Sequence, residues 1–169
     1  LLVAYSLLKR IDSGARSWDS DQACFNKMIS LSDNACAESF LNAIGVSTLT
    51  SEANAIGLKN STFMKGGGPY TTANDQALLL GMIATGQNFS SANQQRLLEA
   101  MKKNVYRKGI PAGASGTIAD KVGFMNGLLH DSAIVYSSHG TYVLSIMTDG
   151  ASWEAIADLA KQLDALRAQ

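Results

Sequence analysis

The feature that most constrains this chain is a change of period near Pro111. Before it, apolar residues recur at helical spacing; after it, three β-rich runs follow one another directly. Leu1–Ile11 is apolar nearly all round and reads as a buried helix, closed by the turn chemistry of Asp12, Ser13 and Gly14. Helical spacing resumes over Ser20–Ser30, breaks at Leu31–Asp33, and returns over Asn34–Ile44 and Ser47–Ile56. Leu58–Tyr70, with Gly66, Gly67, Gly68 and Pro69, has no period and reads as a loop. Thr71 or Thr72 then caps a helix with an inner stripe of Leu78, Leu79, Met82 and Ile83. Ser90 or Ser91 caps the next, which runs to about Lys103.

Strands are predicted over Thr117–Phe124, His130–Ser137 and Thr141–Thr148, the last two joined by a turn at Ser138, His139 and Gly140. Ser152 caps a closing helix with Trp153, Ile156, Ala157, Ala160 and Leu163 inside. Helices, then consecutive strands, then a helix predict an α+β fold, an antiparallel sheet packed against helices. We expect one domain over residues 1–169, helical to about residue 110, with sheet and closing helix from about 111.

Fourteen basic residues balance fourteen acidic ones, which leaves no electrostatic footprint for nucleic acid or an anionic membrane. Apolar runs such as Leu1–Leu8 are too short to cross a bilayer. His130 and His139 have no cysteine or carboxylate cluster around them in sequence, and no metal or other cofactor is expected. His130 and Asp131 read as a loop-to-strand junction. Cys24 and Cys36 read first as two small buried hydrophobes; a single bridge stays open for an exported protein.

Two tripeptides carry the chemistry. Ser32-Asp33-Asn34 sits at the break between two helices, and Lys121-Val122-Gly123 lies inside the first β run behind Ala119 and Asp120. Each alone has an ordinary reading, as a helix N-cap and as a solvated strand residue. Together, in this order and setting, they resemble the second and third motifs of the serine acyl-enzymes of the β-lactamase and penicillin-binding type. Similar stretches at Tyr70–Ala73, Ile110–Gly113 and Gly127–Asp131 extend the resemblance over nearly the whole chain.

The resemblance implies that the sheet has further strands upstream. It also implies that the first motif, Ser-x-x-Lys with the nucleophile and its lysine, ends just before Leu1, whose helix looks like that motif's continuation. Ser32 and Lys121 are then the catalytic residues of this chain: Ser32 relays a proton to the leaving nitrogen, and Lys121 keeps the cleft positive. Asn34, Val122, Gly123 and Phe124 become substrate-binding residues, with the Phe124 N–H as half of an oxyanion hole. The implied substrate is a β-lactam or the D-Ala-D-Ala end of a peptidoglycan stem peptide, met outside the cytoplasmic membrane.

Two departures from the pattern matter. Val122 stands where the family prefers Thr or Ser, so one hydrogen bond to a substrate carboxylate is missing. No acidic residue occurs between Glu52 and Asp75, so the loop after Leu58 has no glutamate to activate a deacylating water; Glu38 and Glu52 are expected on helices as surface or capping residues. Slow deacylation follows. The alternative is a catalytically inactive relative that binds cell-wall peptide or a protein partner.

Overall fold

The computed structural model describes residues 1–63 and 69–167. The predicted glycine run Gly66–Gly68 lies outside these described residues. Among the described residues, eight helices and three strands follow in the order α1 (Leu2–Asp12), α2 (Trp18–Ser30), α3 (Asn34–Ile44), α4 (Val46–Ala55), α5 (Ala73–Thr85), α6 (Ser91–Lys102), α7 (Ile110–Gly113), β1 (Thr117–Met125), β2 (Leu128–Ser137), β3 (Gly140–Asp149) and α8 (Trp153–Arg167). The expected α+β class is what the chain adopts.

Helix α1 is the centre of the helical layer. Its residues Leu2, Ala4, Tyr5, Ser6, Leu7 and Leu8 are all buried, as an all-round apolar helix must be. Side-chain caps start three of the helices around it. The Asp33 carboxylate accepts from Cys36 N at 2.8 Å, the Thr72 hydroxyl from Asp75 N at 3.2 Å, and the Ser90 hydroxyl from Asn93 N at 3.3 Å. Ser152 does the same for α8, accepting from Ala155 N at 3.2 Å.

One expected stripe is rotated. In α5 the buried residues are Leu79, Leu80 and Ile83, while Leu78 is exposed and Met82 only partly covered. Asp75, also buried on α5, explains the turn of the helix. It faces inward to accept hydrogen bonds from Asn60 N and the Ser61 hydroxyl, both at 2.8 Å, and so carries the buried arc one position along.

The sheet has order β1-β2-β3 and is antiparallel throughout, with Lys121 opposite Ser132 and Ser132 opposite Ser145. Alternation gives it two apolar faces. Ala119 and Ile134 join the core built on α1, α2, α5 and α6. Ile118, Ala133, Val135 and Ile146 pack with Ile110, Ile156 and Ala160 of α7 and α8. Gly113 permits the α7–α8 approach, because a Cβ there would lie 1.9 Å from the Ala157 carbonyl oxygen.

One reading of this region is corrected. Strand β2 begins at Leu128, so His130 and Asp131 lie within it and are no loop junction. The hairpin turn before it is Asn126-Gly127, both at positive φ, the pairing that two-residue hairpins favour.

The cysteines need correction too. Cys24 of α2 and Cys36 of α3 form a disulfide with Cα atoms 5.2 Å apart, in place of two free buried thiols.

Candidate active site

The break between α2 and α3 is held rigidly. Leu31 N and Asp33 N both donate to the Lys27 carbonyl, at 3.0 and 3.2 Å, while the Ser30 hydroxyl donates to Ala100 O at 2.8 Å. Ser32 sits at φ 55°, a left-handed conformation that non-glycine residues adopt at a cost of roughly 1–2 kcal/mol. The Asp33 cap and the Cys24–Cys36 bridge fix the loop from its far side.

Opposite this loop stands β1, at one edge of the sheet. Its even-numbered residues turn their backbone groups to the open edge. Ile118 O accepts from Arg107, Asp120 O from Asn104, and Val122 O from the Lys121 ammonium at 2.8 Å. The same alternation directs the Phe124 N–H to that edge.

The Lys121 ammonium also donates to the Ser32 hydroxyl oxygen, linking residues 89 positions apart. Because Ser32 accepts there, its own O–H is left to donate elsewhere. A cavity of about 420 Å³ opens at this contact, lined by all six residues singled out from the sequence: Ser32, Asn34, Lys121, Val122, Gly123 and Phe124. Leu1, Val3 of α1 and Tyr106 also line it, with Met28 and Ile29 of α2. A second cavity of about 320 Å³ lies against the same lysine, bounded by Leu1, Ser61, Tyr70, His130 and Ser132.

Burial lowers Lys121 to about 8, against the pull of Asp120 and Asp131. Those carboxyls form an anchor that sequence reading missed. Asp120 is fully buried, paired with Arg107 and hydrogen-bonded to Asn104 at 2.7 Å. Burial, then the neighbouring Asp131, push it up to about 8, with Arg107 and Asn104 opposing. Asp131 accepts from Ile110 N at 2.8 Å, and burial raises it to about 6. The signal that could have found this pair is two acids in strand interiors that share one face with Val122 and Ala133.

Asp131 has a measurable consequence. A carboxyl whose folded pKa lies above its unfolded value stabilises fully below pH ~4, and that contribution is lost as pH rises through about 6. Asp131→Asn keeps an acceptor for Ile110 N–H and cannot ionise. Urea unfolding at pH 4.5 and 7.5 should therefore show the variant losing less stability than the parent between the two, by on the order of 2–3 kcal/mol. An identical loss in both proteins would refute the assignment.

Glu52 lies on α4 and is partly covered, ion-paired with Arg10. Burial raises its carboxyl, but hydrogen bonds from Arg10 and Ser6 outweigh this and hold it below the ordinary range. Glu38 is exposed, as expected of a surface residue. Among the described residues, no group of three or more His, Cys, Asp or Glu is placed to hold a metal ion. No helix among them is long and apolar enough to cross a membrane.

A helical layer facing the edge strand of an antiparallel sheet, with a serine–lysine contact in the cleft between them, defines an α+β architecture. The model of the β-lactamase enzyme family matches residues 5–166, and the chain belongs to that family. No curated protein matches it. Among solved structures it is similar to PBP-A at a TM-score of 0.85 and 21% identity, covering 98% of this chain and 77% of that one. It is similar to a β-lactamase from Chitinophaga pinensis at 0.84 and 17%, covering 98% and 82%. The TLA-3 extended-spectrum β-lactamase superposes at 0.86 and 16%, covering 99% and 82%. At these identities the likeness is one of fold.

Proposed function

We propose that this chain carries the substrate-side half of a serine acyl-enzyme that reacts with β-lactams or D-Ala-D-Ala peptides and deacylates slowly. The observation that carries the reading is the Lys121–Ser32 contact, which joins the two motifs in one cavity beside the Phe124 edge of β1. On this reading the nucleophilic serine and its lysine lie on the segment leading into Leu1, which lines the same cavity.

The serine oxygen attacks the substrate carbonyl, and the Phe124 N–H donates to the developing oxyanion. The carbon–nitrogen bond then breaks. The proton that left the nucleophile reaches the departing nitrogen through the Ser32 hydroxyl, which Lys121 orients from its other side. Asn34 binds the acyl amide. Water must finally cleave the ester, and no acid between Glu52 and Asp75 is available to activate it.

A relative of this fold, a mutant of PBP-A, has been solved as its acyl-enzyme complex with penicillin G, which supports a β-lactam as ligand. The Cys24–Cys36 bridge supports an extracytoplasmic, oxidising location.

Nitrocefin kinetics on the full-length protein test the reading. The expected result is one equivalent of rapid hydrolysis followed by a slow steady rate. Sustained turnover at the rate of a resistance enzyme would refute slow deacylation. Absence of any burst would favour a binding protein, for which Val122 is the motivation: it is 5% exposed and offers the substrate carboxylate no hydrogen bond. Val122→Thr should restore that bond and raise the acylation rate constant about tenfold, the equivalent of a charge-assisted hydrogen bond. An unchanged rate would place the carboxylate elsewhere.

A further inference from the structure

Beyond Phe124, the candidate cleft continues into an aromatic surface that no motif accounts for. The Tyr106 and Phe124 rings lie 5.2 Å apart at 60°, and Phe124 meets Trp153 edge-on at 6.4 Å. Tyr106 is 37% exposed and Phe124 48%, and both line the 420 Å³ cavity with Ser32 and Lys121. A further cavity of about 100 Å³ is lined by Tyr106 and Trp153.

This exposure is built in. Tyr106 lies between two anchored neighbours: its N–H donates to Asn104 Oδ1 at 3.0 Å, Asn104 donates to buried Asp120, and Arg107 pairs with the same carboxylate. A buried carboxylate and a buried amide thus hold an aromatic ring half in water, where burial of apolar surface alone would have turned it inward.

We propose that Tyr106, Phe124 and Trp153 form a subsite for an aromatic or large apolar substituent of the substrate. The inference rests on the functional reading above and names the substrate class that reading leaves open. Continuity with the cavity commits the occupant to part of the reacting molecule. A space of this volume suits a small ligand carrying a ring, and offset or edge-on aromatic contacts contribute about three- to tenfold each in affinity.

The test uses pairs of β-lactams that differ only in a phenyl against a methyl substituent, placed first on the acyl side and then on the leaving-group side. Acylation rate constants of the full-length protein should favour phenyl on one of the two sides. Tyr106→Ala should lower that phenyl-to-methyl ratio by about three- to tenfold, Tyr106→Phe should keep it, and Trp153→Leu should lower it in part. An unchanged ratio in folded Tyr106→Ala overturns the subsite. So does a shift in oligomeric state by light scattering with no change in ratio, which would make the wall a protein contact. If the parent forms no covalent adduct, the functional reading fails on its own. The subsite is then judged by the same ratio in non-covalent binding of the two lactams, read from tyrosine and tryptophan fluorescence.

Discussion

Ser32→Ala in the full-length protein is expected to slow acylation by roughly 10²–10⁴-fold, the range over which a positioned proton donor acts. The Ser32 hydroxyl accepts from Lys121 and has its own proton free for the leaving nitrogen, a role a methyl group cannot fill. Ser32 holds a left-handed backbone, so Ser32→Gly is the companion variant: it relieves the strain, lacks the same hydroxyl, and should be equally slow. Equal loss in both variants, with unchanged melting of the alanine protein, assigns the effect to the oxygen. Full activity in either would remove Ser32 from the mechanism. Lys121 adds a pH signature. With its ammonium lowered to about 8 by burial, acylation should decline as pH rises through that value, because the neutral amine no longer supplies the cleft's positive charge.

The second large effect concerns the bridge. Cys24 and Cys36 are twelve residues apart, and closing a loop of that size stabilises by about 3 kcal/mol in the chain-entropy description. Replacing both with alanine should lower the melting temperature by about 6–12 °C for a domain of this size. The bridge brackets Leu31–Asp33, so the variant should also acylate more slowly below its melting point as the Ser32 loop loosens. A shift under 2 °C would show that α2 and α3 are held by packing alone.

Most of the architecture was legible because each element has its own period. The helical spacing of residues 20–44 and the three β runs after Pro111 fall close to where the chain places them. What was lost depends on partners distant in sequence. Leu80 replaces Leu78 inside α5 because Asp75 turns inward toward Ser61, which no periodicity reveals. His130 and Asp131 looked like a junction because two polar residues interrupt an apolar run. Asp131 is instead buried behind Ile110, fourteen residues before the hairpin's Phe124. Five of the six candidate site residues belong to two tripeptides, and the sixth, Phe124, follows the second directly. That they share one cavity, and that Tyr106 from an aperiodic segment joins them, depends on the β1 edge and on Asp120 holding residues 104–107.

The measurement that bears most directly on the Ser32–Lys121 cleft is intact mass of the full-length protein after exposure to a labelled penicillin. A serine acyl-enzyme with slow deacylation predicts one adduct per chain, persisting after the excess is removed and absent when the serine three residues before the upstream motif's lysine is replaced. No adduct at any concentration, or an adduct indifferent to that serine, would contradict it.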